Sequence, residues 1–419
     1  MSSPFLQTNL FIMKYFALIL VSLFLITSCN SNTSEDIGQQ AAPYAGNWKI
    51  EFITQGQKIP ISAKLSGSKL TIINGAEHIE MDFEIKNDSF YVAIPNFNSH
   101  LEGHIVTDKK LNGIYVKDAV EDYVIPIVAT YTQDARFETS KDSNTYLQPK
   151  YDVSIDRGET TTKAIGIFEQ AGNSVKGSFA TETGDYRFLE GVVDGNKLKL
   201  STFDGSHLFF FTADIMGDSL LNGEFVSGKT GNYKWKGAAN DTVHLRNPEQ
   251  LTYTISQIKP KDRLKLISSE GDTVTLADDQ FKNKVKIVQI MGTWCPNCLD
   301  EARYFNTLYK KYNKDGLEII AVAFENGTNT QVILDKLTKY KAANNIEYTL
   351  LYGGKATNEY ALRVFPYLNK IMSFPTAIYF DKNKKIRKIY TGFYGPGTGK
   401  YYEEYTAKTE KFIEDLLAE

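Results

Sequence analysis

The chain has 419 residues, which is enough for two or three domains and excludes a single small module. Its 47 Lys and Arg residues nearly balance 50 Asp and Glu residues, so no basic surplus is available to neutralise phosphates, and nucleic acid is not expected as a partner. Three cysteines are far too few for a disulfide-stapled scaffold. Each cysteine therefore needs its own explanation.

The N-terminus carries an export signal. Residues 15–26 form an uncharged apolar run that follows Lys14 and is too short to span a bilayer comfortably, as in the h-region of a signal peptide. The sequence Ile-Thr-Ser-Cys that ends at Cys29 resembles the lipobox of bacterial lipoproteins, in which the cysteine receives the lipid. We therefore predict a signal peptide over 1–28 and lipidation of Cys29. An ordinary secretory leader with an incidental cysteine is the alternative.

This leader predicts where the mature protein lies. A polar tether over 29–43 would follow the lipidated residue and hold the folded part away from the lipid bilayer. The protein is then expected in the cell envelope, in the periplasm or on the outer surface, anchored by its lipid to a bacterial membrane. Disulfide chemistry is available in those compartments.

Short runs that alternate apolar and polar residues fill the chain from Tyr44 to about residue 245, and Gly, Asn and Asp separate them. This period of two predicts antiparallel β-structure. The motif Leu-Asn-Gly recurs at 111–113 and 221–223, which indicates a duplicated unit. We predict β-units over 44–132 and 145–245. Two meanders, or two halves of one sandwich or barrel, fit equally well.

Histidines in these β-units do not predict a metal site. His100 and His104 would lie on one face of a strand, but roughly 13 Å apart at about 3.3 Å per residue. No cysteine or convincing carboxylate partner accompanies them. We expect structural or surface histidines and no metal.

From about residue 248 the pattern changes to alternating strands and helices. The sequence predicts a buried strand over 285–291 and a helix over 296–312, then a strand over 317–324 and a helix over 330–343. Further elements are predicted at 348–351, 356–364, 376–380, 385–391 and 401–417. The order of strand, helix, strand, β-hairpin and closing helix predicts a thioredoxin fold over 248–419.

The two remaining cysteines, Cys295 and Cys298, form a Cys-Pro-Asn-Cys motif. A zinc site would need two more ligands, and a papain-like nucleophile would need a histidine base, but the region 248–419 contains neither histidine nor another cysteine. Redox chemistry is therefore the remaining function for this pair of cysteines. We expect no cofactor other than a redox-active disulfide between these two residues.

The placement of the motif assigns the roles of its residues. It follows a buried strand and opens a helix, so Cys295 lies at a helix N-terminus, where the free N–H groups and the helix dipole favour a thiolate and make it the expected nucleophile. Cys298, one turn later, would resolve the mixed disulfide, and Pro296 occupies an early helical position that needs no N–H. Trp294 is expected to form a platform beside the thiols, with a core tryptophan as the alternative.

The C-terminal region resembles the TlpA-like thioredoxin family of bacterial thiol–disulfide oxidoreductases. The residues that carry this resemblance are the motif at 292–298, the downstream Glu301 and the segment Phe374-Pro375-Thr376. The resemblance implies that Pro375 is cis and faces the cysteines, whereas a trans proline at the start of a strand is the alternative.

Further site residues follow from the same resemblance. It implies that Phe374 and Thr376 line a substrate groove together with Trp294 and Pro296. It also implies a functional Glu301, which could accept the proton of the resolving cysteine. Asp300 is expected only to interact favourably with the positive end of the helix dipole.

The function that these residues predict is reduction or exchange of disulfides in other envelope proteins. Protein thiols and disulfides are the expected partners, with a membrane or envelope electron donor. A surface lipoprotein whose β-repeats bind a ligand, with a structural or regulatory thioredoxin domain, is the alternative. A peroxidase is disfavoured because its reactive cysteine would stand without a CxxC partner. The Pro-Asn dipeptide leaves the redox direction open.

Overall fold

A computed structural model describes residues 44–118, 120–140, 145–255 and 264–419 of the chain. The predicted signal peptide, the tether up to residue 43 and Cys29 lie outside the described residues. Within the described ranges, no helix is long and apolar enough to cross a membrane.

The first part of the chain folds into an antiparallel sheet of nine strands, here called β-unit 1. Its alternating runs form strands because every second side chain turns to a common apolar core, which includes Phe52, Ile61 and Tyr115. The strand order is β4-β3-β2-β1-β9-β8-β7-β6-β5. The strands are β1 Gly46–Thr54, β2 Gln57–Ser66, β3 Lys69–Asn74, β4 Glu77–Asp82, β5 Glu84–Lys86, β6 Ser89–Ala93, β7 Ser99–Thr107, β8 Lys110–Lys117 and β9 Val124–Tyr131.

The next nine strands form a second antiparallel sheet, β-unit 2, in the order β11-β10-β18-β17-β16-β15-β14-β12-β13. An additional β11–β12 pairing closes eight of these strands into a barrel-like ring. Aromatic side chains fill it, and the rings of Phe211 and Phe225 stack with centroids 4.0 Å apart. The strands are β10 Lys150–Asp156, β11 Thr161–Ala171, β12 Ser174–Thr181, β13 Gly184–Asp185, β14 Leu189–Asp194, β15 Lys197–Phe203, β16 Leu208–Met216, β17 Ser219–Ser227 and β18 Gly231–Ala239.

The two β-units are copies of one pattern. In each, the first strand pairs with the last, as β1 with β9 and β10 with β18, and the repeated Leu-Asn-Gly motif lies in β8 and in β17. β-unit 2 has an apolar core of its own, whereas the core of β-unit 1 also includes Phe203, Phe210 and Val226 of β-unit 2. The prediction of a duplicated, antiparallel all-β region ahead of an α/β fold is confirmed, and the two units form two separate sheets.

The C-terminal part is a seven-stranded mixed sheet with helices, in the strand order β20-β19-β23-β22-β21-β24-β25. Strand β21 lies inside the sheet, parallel to β22 and antiparallel to β24, and all seven of its residues are buried. The strands are β19 Leu266–Ser268, β20 Thr273–Val274, β21 Val285–Met291, β22 Leu317–Glu325, β23 Thr349–Lys355, β24 Thr376–Phe380 and β25 Ile386–Thr391. The helices are α1 Pro296–Tyr312, α2 Thr330–Ala343, α3 Asn358–Val364 and α4 Lys400–Ala418.

The predicted thioredoxin fold is confirmed in this domain. Helices α1 and α2 begin and end at the predicted residues, and the other predicted elements appear with bounds that differ by a few residues. The hairpin of β19 and β20 was not predicted, because runs of three and two residues are too short to show a period.

Candidate active site

The first cysteine of the motif caps helix α1. Cys295 has extended backbone angles, φ −104° and ψ 112°, and its Sγ accepts a hydrogen bond of 3.2 Å from the backbone N–H of Cys298. Pro296 is the first residue of the helix, where the absence of an N–H costs nothing. A thiolate at Cys295 would therefore keep this hydrogen bond and face the positive end of the helix dipole.

The second cysteine is in a different environment. Both thiols are free, but Cys295 is 7% exposed whereas Cys298 is fully buried. Burial, reinforced by the neighbouring Cys295, raises the pKa of the Cys298 thiol well above its ordinary value. Cys298 consequently keeps its proton at neutral pH, and it needs a base before it can act as a nucleophile.

The predicted groove residues meet beside Cys295. The Phe374–Pro375 peptide bond is cis, and the Cys295 thiol donates a hydrogen bond of 3.3 Å to the carbonyl of Phe374. The ring of Trp294 lies 5.6 Å from that of Phe374, and its Nε1 donates to the carbonyl of Phe324 at 2.9 Å. Half-buried Trp294 thus flanks the thiol as the expected platform.

Thr376 has a different position from the other groove residues. It is fully buried, and its hydroxyl donates to the carbonyl of Ser373 at 2.8 Å. Thr376 therefore holds the turn that presents Phe374 and Pro375 and does not itself line an open groove.

Glu301 lies in the interior beneath the motif. Its side chain is fully buried and accepts hydrogen bonds from Gln289 Nε2 at 2.8 Å and from the Tyr405 hydroxyl at 3.5 Å. Burial raises the pKa of Glu301 to about 8, although both hydrogen bonds oppose the rise. The Nε2 of Gln289 also lies 3.5 Å from the carbonyl of Cys298, so one amide joins the carboxylate to the resolving cysteine's backbone. Glu301 is therefore placed to exchange a proton near Cys298.

A second buried carboxylate supports the loop before the cysteines. Glu325, at the end of β22, accepts hydrogen bonds from the backbone N–H of Thr293 at 2.6 Å and from its hydroxyl at 2.8 Å. Lys336 of α2 pairs with Glu325 at 2.8 Å. Lys336 therefore neutralises a buried charge.

An arginine from β-unit 2 also reaches the motif. Arg187 donates a hydrogen bond of 3.1 Å to the carbonyl of Pro296, between the two cysteines. Its guanidinium forms ion pairs with Asp300 of α1, with Asp204 of β-unit 2 and with Glu77 of β-unit 1. Burial alone lowers the pKa of Arg187, but the three carboxylates outweigh it and raise the pKa above its ordinary value. Asp300 thus joins the domains, a role that helix-dipole reasoning did not predict.

Some of these unpredicted residues left a signal in the sequence. Gln289 is an amide inside an otherwise apolar strand, apart from Lys286, and a buried amide needs a polar partner. Arg187 left no such signal in the sequence, because it lies 113 positions before its partner Asp300.

Comparison with known proteins places these features in context. Residues 255–404 match the family model described as Redoxin. The chain is 27% identical over 140 residues to the thiol-disulfide oxidoreductase ResA of Oceanobacillus iheyensis, which covers 33% of this chain and 66% of the relative. It is 29% identical over 145 residues to the ResA of Bacillus thuringiensis subsp. konkukian, covering 33% of this chain and 70% of the relative.

Solved structures are also similar to part of the chain. A putative thiol:disulfide interchange protein DsbE from Chlorobium tepidum is 22% identical, covers 37% of this chain and 92% of its own, and gives a TM-score of 0.29.

The chain spans just under two thirds of the length of the ResA from Oceanobacillus iheyensis.

Proposed function

We propose that this chain, whose residues 255–404 match the Redoxin family model, is a thioredoxin-like thiol–disulfide oxidoreductase that reduces or exchanges disulfides through Cys295 and Cys298. The observation that carries the proposal is the position of Cys295, whose Sγ caps α1 and lies beside the turn that contains cis-Pro375. Such a site offers one nucleophilic sulfur next to a groove and one buried sulfur that resolves the intermediate.

In the reduction of a substrate, the Cys295 thiolate attacks one sulfur of the substrate disulfide. The substrate S–S bond breaks, a mixed disulfide forms with Cys295, and the other substrate sulfur leaves as a thiolate that takes up a proton. The helix N-terminus stabilises the attacking thiolate before this step.

Resolution then requires Cys298 to lose its proton. The carboxylate of Glu301 accepts that proton, directly or through water, and the Cys298 thiolate attacks the Sγ of Cys295. The mixed disulfide breaks, the second substrate thiol is released and a Cys295–Cys298 disulfide forms. Two electrons have passed to the substrate, so an external dithiol must reduce the enzyme again. No cofactor is needed for this cycle.

The proposed place of action is the cell envelope, with the mature chain anchored through lipid on Cys29. The leader at 1–28 and the cysteine at its end support this location. Protein disulfides in the envelope are the proposed substrates, and a membrane or envelope dithiol protein is the proposed electron donor.

The proposal is tested with a short cyclic peptide that contains one disulfide, in the presence of dithiothreitol. We expect the full chain to accelerate reduction of the peptide, followed by chromatography, and Cys295→Ser to lose the acceleration. Cys29→Ser is the matched control and should retain it. Equal rates with the parent chain and with Cys295→Ser would refute the proposal.

A further inference from the structure

Residues 182–187 of β-unit 2, here called the covering segment, lie across the motif and the turn before Pro375. The hydroxyl of Ser373 donates to the backbone carbonyl of Thr183 at 2.6 Å, and Asn297 Nδ2 lies 3.3 Å from the carbonyl of Asp185. Backbone carbonyls are the acceptors in both contacts, and any extended peptide carries the same groups. The covering segment therefore contacts the groove as a bound peptide would.

The fit is close enough to leave no room for side chains at two glycines. A Cβ atom added to Gly392, which has φ +79°, would lie 2.9 Å from the carbonyl carbon of Thr183. A Cβ atom added to Gly184, which has φ +146°, would lie 2.1 Å from Nδ2 of Asn297. Glycine suits these backbone angles, and the segment meets the backbone of Gly392 and the side chain of Asn297 at close range.

Charged groups hold the covering segment in place. Asp185 Oδ2 accepts a hydrogen bond of 2.5 Å from the backbone N–H of Gly395, and Arg187 donates to the Pro296 carbonyl and pairs with Asp300. On the far side, Arg187 keeps Glu77 and Asp204 as partners within the β-units. Loss of the Asp300 charge would therefore weaken the contact between domains while Arg187 remains paired.

We propose that the covering segment occupies, within the same chain, the groove in which the backbone of a protein substrate lies, and so closes the redox site to large partners until the segment is displaced. The proposal rests on the function proposed above. It accounts for a nucleophilic sulfur that is only 7% exposed and for a buried Pro296 beside it. The partner that the freed groove fits is an extended peptide segment next to a disulfide, with a carbonyl placed to accept from Ser373.

A cavity of about 270 Å³ lies beside the motif. Trp294, which precedes Cys295 in the chain, lines it together with Asn326 and Lys336 and with Phe97, Tyr115, Lys117 and His207 of the β-units. A small thiol reagent fits in that volume, but a folded protein does not. The proposal therefore predicts discrimination by size.

The test compares two maleimides that react with Cys295 in the full-length Cys29→Ser chain: N-ethylmaleimide and a maleimide with a long polyethylene glycol chain. The ratio of their rates reports access, because any change in thiol reactivity affects both reagents equally. We expect Asp300→Asn and Ser373→Ala each to raise the bulky-to-small ratio by about tenfold, the effect of removing one strong contact from the closed state. Insulin reduction, relative to reduction of the cyclic peptide, should rise in Asp300→Asn, which leaves the Ser373 hydroxyl in place for the substrate.

Arg303→Gln is the matched control, because Arg303 also pairs with Asp300 but belongs to the exposed side of α1. Its ratio should stay within about twofold of the parent value. If the parent chain has the same bulky-to-small ratio as Asp300→Asn and Ser373→Ala, the proposal is overturned. Failure of the proposed function has a different signature, since peptide reduction would then be absent in every variant whatever the access ratio.

Discussion

Arg187 of β-unit 2 and Asp300 of helix α1 form a buried ion pair that joins the β-region to the helix of the redox motif. Their side chains are 4% and 8% exposed, so water screens the pair little. The same arginine donates to the Pro296 carbonyl, between the two cysteines. The backbone around the thiols is therefore held in part by a residue outside the thioredoxin fold.

Replacement of Arg187 by Met should be strongly destabilising. Glu77, Asp204 and Asp300 would lose their shared counter-charge, and an uncompensated buried charge costs about 3–5 kcal/mol. Urea unfolding of the full chain measures this loss. Arg246→Gln breaks an ion pair between Glu182 and an exposed arginine and should cost less than about 1 kcal/mol. Similar losses in both variants would contradict the role given to Arg187.

Glu301→Gln should slow disulfide exchange without unfolding the protein. The amide is of similar size but cannot accept the proton of Cys298, so the resolving step should slow by about 10- to 100-fold. The parent's rate should rise with pH through about 8, the raised pKa of Glu301, and the variant should lack this inflection. Stopped-flow kinetics at several pH values measure both effects. Glu347→Gln, which changes an exposed carboxylate, is the control. If Glu301→Gln keeps the rate and the pH profile of the parent chain, Glu301 has no part in the mechanism.

The raised pKa of Glu301 also predicts how stability depends on pH. Between its ordinary pKa of 4.5 and about 8, the folded chain holds a proton at Glu301 that the unfolded chain has lost. The free energy of unfolding should therefore fall as pH rises through this interval, by at most about 1.4 kcal/mol per pH unit. Burial also raises the pKa of Asp185, to about 6, with the same sign, so the measurement belongs above that value.

Urea unfolding between about pH 6.5 and 8 isolates the contribution of Glu301. The parent chain should lose stability over this range, and Glu301→Gln should lose clearly less. Parallel pH dependences in the two proteins would show that the carboxyl group is not held neutral in the fold.

Features that depend on residues close together in the chain could be predicted from the sequence, whereas contacts between distant elements could not. The helix over 296–312, its N-terminal Cys295 and the strand over 285–291 follow from short-range periodicity and capping chemistry. The functional role of Glu301 was expected from a family resemblance, but its complete burial could not be predicted from the sequence. Its partners Gln289 and Tyr405 come from other elements of the fold.

Contacts between domains could not be predicted in this way. The covering segment at 182–187 and the pairing of Arg187 with Asp300 depend on how β-unit 2 packs against the C-terminal domain. No period or spacing within one segment carries that information. The pairing of Lys336 with Glu325 could not be predicted for the same reason, because the two residues lie on different elements.

Cys29→Ser should release the protein from the membrane fraction. The mature N-terminus would lose its acyl chains, each CH₂ of which contributes about 0.8 kcal/mol to membrane binding. Fractionation of cells that express parent and variant chains measures the distribution. Cys298→Ala is the control and should stay with the membrane, whereas an unchanged distribution of Cys29→Ser would refute the lipid anchor.

The most direct test of the redox mechanism is the trapping of its mixed disulfide. Each variant, Cys298→Ala and Cys295→Ala in the Cys29→Ser chain, is incubated with a disulfide that joins two identical linear peptides, and the intact masses of the products are measured. We predict that Cys298→Ala gains the mass of one peptide, because Cys295 attacks, the other peptide leaves as its thiol and no Cys298 resolves the adduct. Cys295→Ala should gain almost none, because Cys298 is fully buried. Equal trapping by both variants, or faster trapping by Cys295→Ala, would contradict the assigned roles.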